Sequence, residues 1–229
     1  KYDLADSLYD AGNDWDGLVR HCKDLEVEAP EDPQILWRCS RAIFESSQQQ
    51  GVSEDKKKSL IYEAHKYAEK ALSVGQDSAK AHIWSGIMLN EVGNYEGTKV
   101  KIGNTPKVKE LWLKASKLNP EDPSSYNLLG RWCKGIVEIN WVTKRMAAAI
   151  FGSLPATSYE EALSYFQRAE SLAPGTWLKN QTLIVECLIG LNRYVEAKEM
   201  LDKCERTPVR TAEDKEAKAD IFVLKGRIR

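Results

Sequence analysis

Three histidines and five cysteines are the residues that could most readily do chemistry. His21, His65 and His82 could act as bases, and Cys22, Cys39, Cys133, Cys187 and Cys204 as nucleophiles or metal ligands. A catalytic pair needs its base within hydrogen-bond reach of the nucleophile, and none of these histidines has a partner at triad or metal-ligand spacing. The cysteines are odd in number, far apart and without a C-x-x-C pair. That spacing argues against a disulfide framework or a structural zinc site and suits a reducing, cytosolic setting. No G-x-G-x-x-G or G-x-x-x-x-G-K-[ST] loop is present to cradle a phosphate. The carboxylates fall on what periodicity makes the solvent faces of helices. The expectation is a protein without catalytic residues, cofactor or metal.

Charge is the other available chemistry. Lysines and arginines number 33 against 34 aspartates and glutamates, so no global field draws this chain to a polyanion and electrostatic recognition must be local. One stretch stands out. Between Thr98 and Lys117 lie Lys99, Lys101, Lys107, Lys109, Lys114 and Lys117 with a single acid, Glu110, a local excess of five positive charges. This charge belongs to the inserted polar segment around 96–106 and reads as a mobile basic loop, with Lys99, Lys101, Lys107 and Lys109 as candidates for meeting an acidic polymer surface. Nucleic acid is the poorer fit, because Trp112 is the only aromatic there and stacking needs several. The alternative is an ordinary solvated loop.

The elements that must carry these residues are legible in a repeat. In "YEEALSYFQRAESLAP" the residues Tyr159, Ala162, Phe166 and Ala169 share one helix face, and Pro174 follows its end. The same spacing returns at Trp15, Leu18, Cys22, Leu25 and Pro30; at Ile61, Ala64, Ala68, Ala71 and Gln76; and at Thr105, Val108, Trp112, Ala115 and Pro120. A fifth copy, Tyr194, Ala197, Leu201 and Cys204, has its proline one residue early at Pro208. Ahead of most copies runs another helical segment with a large and then a small residue, as in Trp84 and Gly86, or Tyr126, Leu129 and Gly130. Each unit is therefore a helical hairpin, and the pattern resembles the tetratricopeptide repeat. The expected fold is all-α, a single tetratricopeptide-like solenoid over 1–229 with about five hairpins and about eleven helices. Insertions are placed at 46–58, 96–106 and 136–158, and a capping helix near 211–226.

In such an array the first helices line a concave groove. Trp37 and Arg41 share a face of one, and Asn127, Arg131 and Lys134 a face of another, which makes them candidate donors to an acidic peptide or lipid headgroup. The paired Lys/Asn arrangement of chaperone-binding domains is not reproduced, since Ile83 and Ile87 stand at the corresponding wall. The other tryptophans, Trp15, Trp84, Trp112 and Trp132, read as core. An inserted helix near 141–154 is expected to dock on its own repeat, burying Trp141, Met146, Ile150 and Phe151; the alternative is a partner- or membrane-docking helix. The longest apolar run, 146–151, is far short of the roughly 20 residues of a membrane span. The chain begins at Lys1 and not Met, as a fragment would, which leaves room for a targeting or anchoring segment ahead of it.

Beyond periodicity, "LLGRWCKGIVEINW", "LPATSYEEAL" and the run Phe166, Arg168, Ala169, Glu170, Leu172, Pro174, Gly175, together with "LWRCSRA" and "AHIWSGI", resemble the regulator of microtubule dynamics family over most of the chain. The resemblance implies a non-enzymatic protein of the cytoplasm that associates with microtubules, the spindle and spindle poles. Some relatives carry an N-terminal membrane anchor, and one uses its repeats in lipid handling. The resemblance transfers no catalytic residues and fixes no microtubule contact by motif. A lipid or peptide carrier using the groove is the second reading it leaves.

Overall fold

A computed structural model describes residues 1–151, 154–209 and 211–228. Among the described residues there are twelve α-helices and no strand. They form two compact units, Lys1–Asn119 and Pro120–Arg229. The first contains α1 (Asp3–Ala11), α2 (Trp15–Glu28), α3 (Pro33–Ser47), α4 (Glu54–Val74), α5 (Ala79–Glu96) and α6 (Thr98–Leu118). The second contains α7 (Pro123–Val137), α8 (Trp141–Phe151), α9 (Tyr159–Leu172), α10 (Leu178–Gly190), α11 (Tyr194–Arg206) and α12 (Ala212–Arg227).

The hairpins are α1/α2, α3/α4, α5/α6, α7/α9 and α10/α11, each packed within its unit. The sequence repeat marks the second helix of each. Its core positions are the buried residues of those helices: Leu18, Cys22 and Leu25; Ile61, Ala64, Ala68 and Ala71; Val108, Trp112 and Ala115; Ala162, Phe166 and Ala169; Ala197, Leu201 and Cys204. The starts are set by local chemistry. Asp32 and Asp122 accept from the Gln34 and Ser124 amides at 2.8 and 3.0 Å, each followed by a proline whose missing N–H costs a helix nothing in its first turn.

Register also explains the small residues. Counting from the caps of α3, α5 and α7, the same position is Ser40, Gly86 and Gly130, and the residues facing it by register are Ala68, Trp112 and Phe166. Glycine stands where the partner helix supplies an aromatic ring: a Cβ on Gly130 would lie 2.6 Å from the Phe166 ring, and one on Gly86 would collide with Trp112. Trp112 uses the closeness to donate its indole N–H to the Ile83 carbonyl at 3.2 Å.

The insertions differ from expectation. The segment 46–58 ends α3, turns over 48–53 and gives α4 its first residues, while 96–106 lengthens α6, so that α4 and α6 each run to 21 residues. The extra member of the helix set is the short α1, which opens the first hairpin. The insertion at 141–151 does form a helix, α8, but its docking is a correction: Ala147 is its one buried residue, while Trp141, Val142, Met146, Ile150 and Phe151 are exposed. The expected helix end at 152–153 lies outside the described residues. At the other end, α12 buries Ala217, Ile221 and Leu224 and packs on α10 and α11.

Inside the second unit runs a buried polar chain. Asn127 donates to Asn180 (2.9 Å), Asn180 to the Phe166 carbonyl (3.0 Å), Gln181 to Glu170 (2.9 Å) and Thr207 to Gln181 (2.7 Å). It ties α7, α9, α10 and the end of α11 together, with each buried amide partnered as its desolvation demands.

Candidate functional site

The basic stretch is a helix, not a loop. Gly97, at φ 90° and ψ 167°, is both the end of α5 and the start of α6, a conformation open to glycine alone. The turn is one residue long. Pro106 then sits inside α6, where its lost hydrogen bond and ring clash cost about 3 kcal/mol. Burial of Val108, Leu111, Trp112 and Ala115 against α5 offsets that, with the Asn104 amide reaching the Leu89 carbonyl at 3.4 Å near the break. Tertiary packing overrides the breaker residues of the stretch.

Helical placement sorts the lysines. At about 100° per residue, Lys99, Lys107, Lys114 and Lys117 fall within an arc of roughly 80°, spread over about 27 Å of axis, whereas Lys101 and Lys109 are rotated away. Lys99, Lys101, Lys107, Lys114 and Lys117 are exposed and Lys109 is half-buried. Lys107 pairs with Glu110 at 3.1 Å, a solvent-facing bridge worth little that leaves the positive excess of the stripe intact. Lys101 lies beside Gly93 of α5, where there is no side chain to crowd it.

The groove candidates divide between the two units, and the structure gives each an internal partner. Trp37 is 4% exposed, its indole donating to Gln34 at 2.9 Å. Arg41 lies against the Tyr9 and Trp37 rings and donates to Asp6 of α1 at 2.9 Å. Sequence reasoning missed Arg38, which stacks on Tyr2 and Trp37 and grips the same Asp6 with bonds of 2.9 and 2.6 Å. Asp6 is 32 residues from Arg38 along the chain, so spacing gave no signal for the pair. In the second unit Asn127 is 1% exposed and belongs to the buried polar chain. Arg131 pairs with Glu213 of α12, and Glu213 also accepts from the Trp177 indole at 3.0 Å. Lys134 lies between Glu138 (2.8 Å) and Glu186 (2.6 Å). Burial alone would lower the Lys134 pKa, but these two carboxylates outweigh it and hold the ammonium above its ordinary value.

Asp6 gives a pH prediction. Its hydrogen bond from Arg38 holds the carboxyl below the usual carboxylate range. A group depressed on folding contributes stability that is present above its unfolded pKa, about 3.9, and lost as pH falls through the folded value. Backbone amides of α1 should therefore keep constant exchange protection from neutral pH to about pH 5 and lose it below about pH 4. Asp6→Asn should weaken α1 at neutral pH and remove that acid-dependent loss; an unchanged acid profile in the variant would place the titrating group elsewhere.

The other candidates for chemistry are built into packing. All five cysteines are buried, and burial pushes the Cys187 and Cys204 thiols up to about 12. Cys39 donates to the Cys22 carbonyl at 3.3 Å. His82 Nε2 donates to the Gln76 carbonyl at 2.9 Å, securing the turn where other repeats carry proline. No helix among the described residues is long and apolar enough to cross a membrane.

Comparison with known proteins gives a consistent picture. In solved structures the chain is similar to a thermophilic TPR protein of Thermus thermophilus (TM-score 0.63, 15% identity, 97% of this chain and 96% of that one). It is also similar to pilF of Pseudomonas aeruginosa (TM-score 0.60, 14% identity, 98% and 88%). These likenesses concern the fold. In sequence it is 38% identical over 220 residues to regulator of microtubule dynamics protein 1 of Bos taurus, covering 96% of this chain and 68% of the relative. It is 33% identical over 190 residues to regulator of microtubule dynamics protein 3 of Rattus norvegicus, covering 83% and 40%. The family profile of regulator of microtubule dynamics protein 1-3 matches residues 2–226. With its hairpins and almost its whole length so matched, the chain belongs to the regulator of microtubule dynamics family.

Proposed function

We propose that the chain is a non-enzymatic microtubule-associated protein that contacts the acidic surface of tubulin through α6, acting in the cytoplasm at the cytoskeleton and spindle. The observation that carries this reading is the arrangement of six lysines around one acid on a single anchored helix, in a chain of net charge −1. A fixed helix holds its charges in one pattern, so their fields add at the partner and raise the encounter rate. Cosedimentation with microtubules over a salt series is the test. Binding should fall steeply between about 50 and 200 mM salt, as the screening length shrinks from about 14 to about 7 Å and each lysine is felt only at contact range. Binding that ignores salt would sink the reading.

A second reading, a carrier or tether for an acidic peptide or lipid headgroup, is favoured by the carboxylates already held by Arg38 and Arg41 and by Arg131. These sites have the chemistry for an acidic group, and a ligand would have to displace Asp6 or Glu213 to use it.

A further inference from the structure

Among the described residues, α8 is the one helix whose apolar side has no seat. Val142, Met146, Ala149 and Ile150 fall within an arc of about 100°, and all four are exposed. Trp141 at one end is 68% exposed and Phe151 closes the other. Arg145, exposed, stands beside the stripe, Lys144 lies on the inner side of the helix, and the helix has no acidic residue. Its inner side is barely packed. A cavity of about 260 Å³ lined by Ile136, Val137, Lys144, Leu154 and Pro155 lies there, and Lys144 donates to the Val137 carbonyl at 3.0 Å. The helix is tethered to its unit more than it is buried in it.

Charge decides what fits this face. A second copy of α8 stripe to stripe would set one Arg145 near another with no acid on either helix to offset them, so self-association is opposed. A folded partner would have to bring its own groove for a convex helix about 16 Å long. An anionic bilayer surface answers each feature: the apolar stripe enters the acyl boundary, Trp141 sits at headgroup level, and Arg145 extends to the phosphates. We infer that α8 is an interfacial helix that lays the second unit on an anionic lipid surface. This goes beyond the microtubule reading and does not depend on it.

The test is flotation of the full chain with phosphatidylcholine vesicles and with vesicles in which phosphatidylserine makes up about a third of the lipid. Binding to the anionic vesicles should exceed binding to the neutral ones by roughly tenfold or more. The α6 lysines would also feel an anionic vesicle, so the deciding variant leaves charge untouched: Met146→Gln with Ile150→Gln should remove most of the binding while the thermal midpoint stays unchanged. Brominated lipid should quench Trp141 fluorescence, and Trp141→Phe should abolish that part of the quenching. Equal flotation by the double variant, or no quenching of Trp141, would overturn the proposal. So would a concentration-dependent dimer in sedimentation that the double variant dissolves.

Discussion

Changing Lys99, Lys101, Lys107 and Lys109 together to Glu should abolish microtubule cosedimentation at physiological salt and flatten its salt dependence. Each exposed contact is worth only about 0.2–1 kcal/mol, but the change reverses the sign of the field over the whole N-terminal half of α6. The fold should not suffer. α6 begins without an acidic residue in its first turn and without a side-chain cap, so glutamates at 99 and 101 would complement the helix dipole by about 0.3–1 kcal/mol each. Lost binding could then not be assigned to unfolding. The stripe geometry sharpens the test: Lys114→Glu with Lys117→Glu should weaken binding more than Lys101→Glu with Lys109→Glu, since only the first pair lies on the arc of Lys99 and Lys107. If the quadruple variant pellets with microtubules as the parent does, α6 is not the contact.

The second large effect is expected at the contact between Phe166 and Gly130. Phe166 is fully buried, and truncation to Ala should cost about 3–5 kcal/mol, a large part of the stability of a domain this size. Gly130→Ala should cost about 1–3 kcal/mol in the parent, because its new Cβ meets the ring. In the Phe166→Ala background the same substitution should be neutral or even stabilising by up to about 1 kcal/mol, since the ring is gone and alanine is the better helix former. Hydrogen exchange of α7, α9 and α10 amides reads both effects within the second unit. Equal cost of Gly130→Ala in the two backgrounds would show that the glycine answers to something other than the ring.

How far the sequence carried these readings depends on the distance over which each feature is set. The repeat positions were legible because a packed helix face recurs every three or four residues, and each of Leu18, Ala64, Trp112, Phe166 and Leu201 is buried as its spacing required. The state of 96–106 was not, since Gly97, Gly103 and Pro106 are breakers by local propensity and only the packing of α6 on α5 turns them into one hinge and one interior proline. The occupancy of the groove donors was not legible either. Arg38, Arg41 and Asp6, or Arg131 and Glu213, meet across tens of residues, and pairing at that range leaves no period to read. The exposure of α8 escaped because amphipathicity tells which residues share a face and not whether anything covers it.

The buried amide chain of the second unit makes its repeats non-interchangeable. The position held by Asn127 in α7 is Trp37 in α3 and Ile83 in α5, both buried. A hairpin grafted from the first unit would set an apolar side chain against Asn180 and leave a buried amide without its partner, costing about 1–3 kcal/mol before any misfit of shape. Such a penalty acts as an address: it fixes the order of look-alike hairpins during folding.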